Sequence, residues 1–185
     1  GIAFGSTIIL YTFIMINSII GDNRSKLDEI EALLTQLTDD IFTKKKKIIS
    51  NATVGQHTRH ILEFYICLSN GMDKGEVSYD ERNRDERIEN KTSFAIDTIA
   101  GIKRFINSIA EDKPLVLKAN YTSDNKISAV INSSLTRELA YALDHTIHHL
   151  AIVKIALMDD SNEVQVGDDF GVAPSTIRYR KLCAQ

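Results

Sequence analysis

Residues 137–155 read RELAYALDHTIHHLAIVKI, and residues 55–65 read GQHTRHILEFY. All five histidines of the 185-residue chain fall in these two stretches. In the first, apolar residues recur at helical spacing and no helix breaker interrupts them, so it predicts a long helix. At about 100° per residue, His145 and His149 lie roughly 40° apart on the helix wheel, on the arc shared by Ala142, Ile152 and Ala156. His148 shares a stripe with Arg137 and Asp144 and is expected to face solvent or a neighbouring helix. An H-x-x-x-H pair on one turn can hold a metal ion from a single helix, and neutral imidazoles suit zinc, nickel, copper or iron.

The second stretch supplies a third ligand. His57 and His60 are about 60° apart on the wheel, so either can face the centre. Three protein ligands leave a coordination position open, as in catalytic rather than closed structural sites. No cysteine lies close in sequence to these histidines. A di-iron bundle wants paired E-x-x-H motifs, and Glu63 and Glu138 are not at that spacing.

Working outward, four helices are expected. Asn23 and Ser25 offer N-caps for the first, with Leu27, Ile30, Leu34, Leu37 and Ile41 at helical spacing. The run Lys44–Lys47 ends it as a solvated loop. The second starts near Thr53 or Val54, carries Val54, Ile61, Phe64, Tyr65 and Leu68, and stops near Gly71 or Gly75. The third carries the seam Ile88, Thr92, Ala95, Ile99, Ile102, Ile106 and Ile109, and stops at Asp112–Pro114. LVLKANY and KISAVIN, separated at Ser123–Asn125, read as a hairpin or two extended segments. The fourth helix is capped by Ser133 or Ser134 and ends near Met158. The tail reads as loop. The fold class expected is all-α: an antiparallel four-helix bundle with a short extended or β-hairpin insert between helices three and four.

Composition bounds the function. The chain is 43% hydrophobic and 25% charged, with net charge −3, so neither a disordered segment nor a nucleic-acid binder is expected. Two cysteines, Cys67 and Cys183, exclude a disulfide framework and suit a reducing, cytoplasmic setting. Residues 2–20 carry no charge. They read either as an extension outside a domain spanning 22–185, with Met15 as an internal start, or as a membrane tether. Membrane association is expected only if that run is retained and inserted.

GQHTRHILEFY together with RELAYALDHTIHHLAIVKI resembles the DinB/YfiT-like metalloenzyme family, over residues 22 to about 158. The resemblance places His60, His145 and His149 as metal ligands, with His57 as an alternative or additional one. The tail FGVAPSTIRYR resembles that of a bacterial subgroup. The resemblance implies a divalent metal, zinc or nickel foremost. It also implies a low-molecular-weight thiol such as bacillithiol or mycothiol, activated for transfer or isomerisation of a small-molecule substrate; hydrolysis by an activated water is the related chemistry. Homodimers are compatible with such bundles. The alternative is a non-catalytic bundle that holds a metal or small ligand, with His57 closing the open position. Arg59, Tyr65 and Tyr141, the arginines Arg82, Arg84 and Arg87, and the tail pair Arg178 and Arg180 are further candidates for substrate contact. Cys67, two turns after His60, reads as a small buried hydrophobe.

Overall fold

The computed structural model describes residues 2–124, 129–158 and 164–184, with side chains from Met15 onward. The helix that carries GQHTRHILEFY, α3 (Val54–Met72), starts where the sequence demands it. Thr53 Oγ1 accepts from Gln56 N at 2.9 Å, and Gln56 Oε1 accepts from Thr53 N at 3.1 Å, a reciprocal capping box. Its buried face is Val54, Ile61, Phe64, Tyr65 and Leu68, the predicted stripe. Its partner α6 (Leu135–Met158) opens with Arg137 N donating to Ser134 Oγ at 3.3 Å, the expected serine cap.

These two helices pack with α1 (Ile2–Leu34) and α5 (Thr92–Asn107) in a ring in which α1 and α3 each touch both α5 and α6. The pairs His57–His149 and Phe64–Tyr141 set α3 antiparallel to α6. Asp39, just past the end of α1, bonds Thr92 at the start of α5, while Ile16 clusters with Ile109 just past the end of α5, so α5 runs antiparallel to α1. A short α2 (Asp39–Phe42) and a 3-10 turn (Lys47–Ile49) link α1 to α3. The core holds Leu27, Ile30, Leu34, Tyr65, Ile99, Ile106, Leu139 and Leu150, each buried, at about 1.5–3 kcal/mol apiece for the aliphatic side chains.

The all-α expectation is corrected: the fold is mixed α/β. A two-residue strand β1 (Glu76–Val77) pairs parallel with β2 (Pro114–Ala119), which pairs antiparallel with β3 (Ala129–Ser134), in the order β1-β2-β3. Gly75, at φ 72, turns the chain out of α3, and its carbonyl accepts from Val116 N at 2.9 Å. Val77 and Leu117 then bury against Phe64 and Tyr79, so the sheet is built onto the bundle beside α3 rather than inserted as a free hairpin. Two residues in a charge-dense segment carry no readable period. Of the two readings of LVLKANY and KISAVIN, the paired one is present; residues 125–128 of that stretch lie outside the described residues.

Four local corrections follow the same logic. First, α1 does not start at Asn23 or Ser25 but runs through both, and Ile16 is buried against α6 and Leu115. Asn23 is fully buried, donating to Ile19 O at 2.7 Å and Leu139 O at 3.2 Å and accepting from Tyr65 OH at 2.8 Å. It ties three helices rather than capping one. Second, the third helix is broken at Lys91 into α4 (Glu86–Asn90) and α5, while Ile88, Ala95, Ile99, Ile102, Ile106 and Ile109 keep the buried seam. The cap for α5 comes from across the chain: Asp39 accepts from Thr92 N at 2.9 Å and Thr92 Oγ1 at 3.1 Å. Third, Lys46 in the lysine run is buried rather than solvated. Fourth, the tail is not all loop. Residues Pro174–Cys183 form α7, and Phe170 and Gly171 dock on α6, where Gly171 (φ 69) leaves no room for a Cβ, which would lie 2.6 Å from Ala151 Cα.

Among the described residues no helix is long and apolar enough to cross a membrane. Most of the apolar run 2–20 lies among residues 2–14, whose side chains are outside the described ones.

Candidate metal centre

The site lies where α3 and α6 face each other. His145 and His149, one turn apart on α6, have ring centroids 4.5 Å apart. From α3, His60 brings its ring to 4.9 Å from His145 and 4.6 Å from His149. One ring nitrogen from each of the three lies within 4.8 Å of the others. His57, a turn before His60, stands outside this group. Its Nδ1 is 2.9 Å from His149 Nδ1 instead. Of the two candidates on α3, His60 is therefore the one that joins the cluster, and His57 contacts its member His149 from outside. His148 is exposed, the first of the two placements its stripe allowed.

The cluster is held neutral. Burial, and then the charge of Arg82, lowers the imidazole pKa of His60 to about 4. Burial, then His148 and Arg82, lowers His145 to about 4. Burial and the neighbouring histidines lower His149 to about 3. Burial also lowers His57. Neutral imidazole is the form that ligates a metal ion. His145 Nε2 is buried with no hydrogen-bond partner. An orphaned buried nitrogen costs about 1–3 kcal/mol, and a cation held by three imidazoles would satisfy it. The donor set thus fits a divalent first-row ion.

Aromatic side chains wall the cluster on one flank. Phe64, one turn after His60, stacks on His145 (4.0 Å, 17°) on one face and on Tyr79 (4.5 Å, 9°) on the other. Tyr141, one turn before His145, lies 5.8 Å from it. Tyr79 OH donates to Glu138 Oε2 at 2.6 Å, and the other oxygen of this fully buried carboxylate takes Ser133 Oγ and Arg137. Burial and the adjacent Glu138 hold the Tyr79 hydroxyl far above its ordinary pKa, so it is a fixed donor. Phe64, Tyr79 and Glu138 were not singled out as site residues from sequence. The available signal was the one-turn spacing of Phe64 from His60 and of Tyr141 from His145.

The other candidates divide. Arg82 reaches the site, its guanidinium 5.2 Å over the Phe64 ring. Arg87 pairs with Asp85 at 2.7 Å and stacks on Phe94, and Arg84 is exposed. Arg59 pairs with Glu89. Tyr65 is fully buried, bonded to Asn23, and is a packing residue. Cys67 packs beside Phe64, and burial pushes its thiol up to about 11, which removes it as a nucleophile at neutral pH. Arg178 and Arg180 lie exposed on α7.

No family model and no solved structure matches the chain. Among curated proteins, the FK506-binding protein 5 of Rhizopus delemar is 34% identical over 108 residues, which are 57% of this chain and 28% of that protein. The chain therefore spans well under half of that relative's length, and the three-imidazole cluster is what remains to carry a functional reading.

Proposed function

We propose that the chain is a metal-dependent enzyme in which His60, His145 and His149 hold a divalent ion, zinc or nickel, for thiol-dependent transfer or a related isomerisation or hydrolysis of a small-molecule substrate. The observation that carries this reading is the convergence of the three imidazoles, one nitrogen of each within 4.8 Å of the others, around an unpartnered His145 Nε2. A bound divalent ion supplies a Lewis acid that lowers the pKa of a thiol or water beside it. The chain's own residues orient and insulate that site. Phe64 fixes the His145 ring by stacking, and His57 engages His149 through its Nδ1. In this reading His57 positions His149 rather than completing a closed four-ligand set, which is the arrangement of an enzyme rather than of a purely structural metal site. The free thiols of Cys67 and Cys183 fit a reducing, cytoplasmic setting.

The test is elemental analysis of the protein beside a His145→Ala, His149→Ala double variant, followed by thiol-consumption assays with bacillithiol or mycothiol and electrophile panels. Near-stoichiometric metal lost in the variant, with thiol consumption that follows metal content, is expected. Absence of metal in both after reconstitution with zinc and nickel overturns the metal site. Stoichiometric metal with no turnover across the panels leaves a binding module.

A further inference from the structure

Next to the imidazole cluster lies a cleft of about 180 Å³ lined by Phe64, Tyr79, Arg82, Tyr121, Arg137 and Tyr141 among others. Phe64 and Tyr141 belong to both places: each ring packs near His145 and each forms part of the cleft wall. The two guanidiniums are not equivalent. Arg137 is paired with the buried Glu138 at 3.1 Å and lies over the Tyr141 ring. Arg82 is half-buried, donates one hydrogen bond to the Tyr79 carbonyl oxygen, and has no ion-pair partner among the described residues. Asp80, the acid at the cleft, accepts from Asn120 N at 2.8 Å through Oδ2 and is not paired with Arg82. Arg82 is therefore a cation on an aromatic-walled cleft with most of its five donors unspent.

Flat aromatic walls favour a planar ligand, which stacks or meets ring edges. A guanidinium with spare donors favours a carboxylate, which it can grip through two parallel hydrogen bonds. We propose that this cleft is the organic-substrate subsite of the centre, and that it takes a small planar carboxylic acid, with the carboxylate on Arg82 and the ring against Tyr141 and the edge of Phe64, whose two faces are covered by His145 and Tyr79. The substrate role rests on the metal-enzyme reading above, whereas the binding itself needs only the cleft. Anchored there, the acid's ring would lie along the Phe64–His145 stack, next to the imidazoles.

The probes are benzoate, its uncharged analogue benzamide, and the non-planar cyclohexanecarboxylate. Each is titrated calorimetrically into chelator-treated and zinc-loaded protein, for the natural chain, Arg82→Gln and Arg82→Lys. Benzoate is expected to bind both forms of the natural chain better than either analogue. Arg82→Gln should weaken benzoate by about tenfold or more, the loss of a charge-assisted hydrogen bond, and Arg82→Lys should restore part of it. Circular dichroism checks that the variants keep their helices. Failure of benzoate to bind either form, or binding that Arg82→Gln leaves unchanged, overturns the proposal. Binding that needs zinc and survives Arg82→Gln also overturns it, since the carboxylate would then sit on the metal, and the metal reading would stand. Arg82-dependent benzoate binding by a chain that takes up no metal supports the cleft and removes the metal reading.

Discussion

His57 Nδ1 and His149 Nδ1 lie 2.9 Å apart, so one ring donates to the other across the α3–α6 interface. That contact fixes which nitrogen of His149 is engaged by protein and leaves its Nε2 as the other donor atom of the ring. It gives the two histidines of GQHTRH different duties: His60 joins the cluster, and His57 orients a member of it.

A His57→Ala variant is therefore expected to bind one metal ion per chain with affinity lowered by about 10–100-fold, the usual cost of losing a partner of a ligand. His149→Ala is expected to lose stoichiometric metal altogether. Competition with a chromogenic chelator measures both. If His57→Ala loses metal as completely as His149→Ala, His57 is a ligand and not a positioning residue.

The buried histidines also set an acid limit on the metal-free fold. Unfolded, each imidazole takes a proton near pH 6.5; folded, His60 and His145 resist protonation down to about 4 and His149 to about 3. Between those limits the unfolded chain binds more protons, so stability falls as pH drops. Above pH 6.5 these groups contribute no slope. The expected result is a urea midpoint, measured in chelator, that is flat from pH 8 to 7 and declines from 6.5 toward 4.5, with a shallower decline in His149→Leu. The lowered carboxyl of Asp39 acts only below its ordinary 3.8 and stays out of this window. A midpoint that rises on acidification contradicts neutral burial.

The parts of this fold that could be read from the sequence are those whose cause is local. Thr53 and Gln56 are three residues apart and cap each other, so the start of α3 was visible; so was the His145–His149 turn. What stayed hidden depends on partners far along the chain. Asp39 caps α5 from 53 residues away, which lets Lys91 stay extended between two helices where the periodic seam predicts one. Asn23 looks like a cap by residue type but spends its amide on Leu139 O, 116 residues on. β1 exists only because β2 lies beside it, and no two-residue stretch announces that by period. Which of His57 and His60 faces the cluster was likewise open on the wheel, and depends on how α3 sits against α6.

Close approach of backbones gives the last expectation, as a pair of opposite signs. Gly55 is the second residue of α3, two before His57, and a Cβ there would fall inside the van der Waals shell of the Glu89 carbonyl oxygen, 2.9 Å from its carbon. That obstacle is backbone of α4, held by the Arg59–Glu89 ion pair and by Glu63 accepting from Asp85 N at 2.8 Å, so it cannot swing aside as a side chain would. Gly101, inside α5, has only the flexible Arg104 Nη2 within reach of a new Cβ, at 3.7 Å. Alanine gains about 0.5–1 kcal/mol over glycine inside a helix, as at Gly101, while overpacking against fixed backbone, as at Gly55, costs about 1–3 kcal/mol. Gly101→Ala is thus expected to raise the urea midpoint and Gly55→Ala to lower it. If Gly55→Ala is as stable as the natural chain, α4 is not seated on α3 as described, and the loop that carries Arg82, between β1 and α4, would lose one of its two anchors.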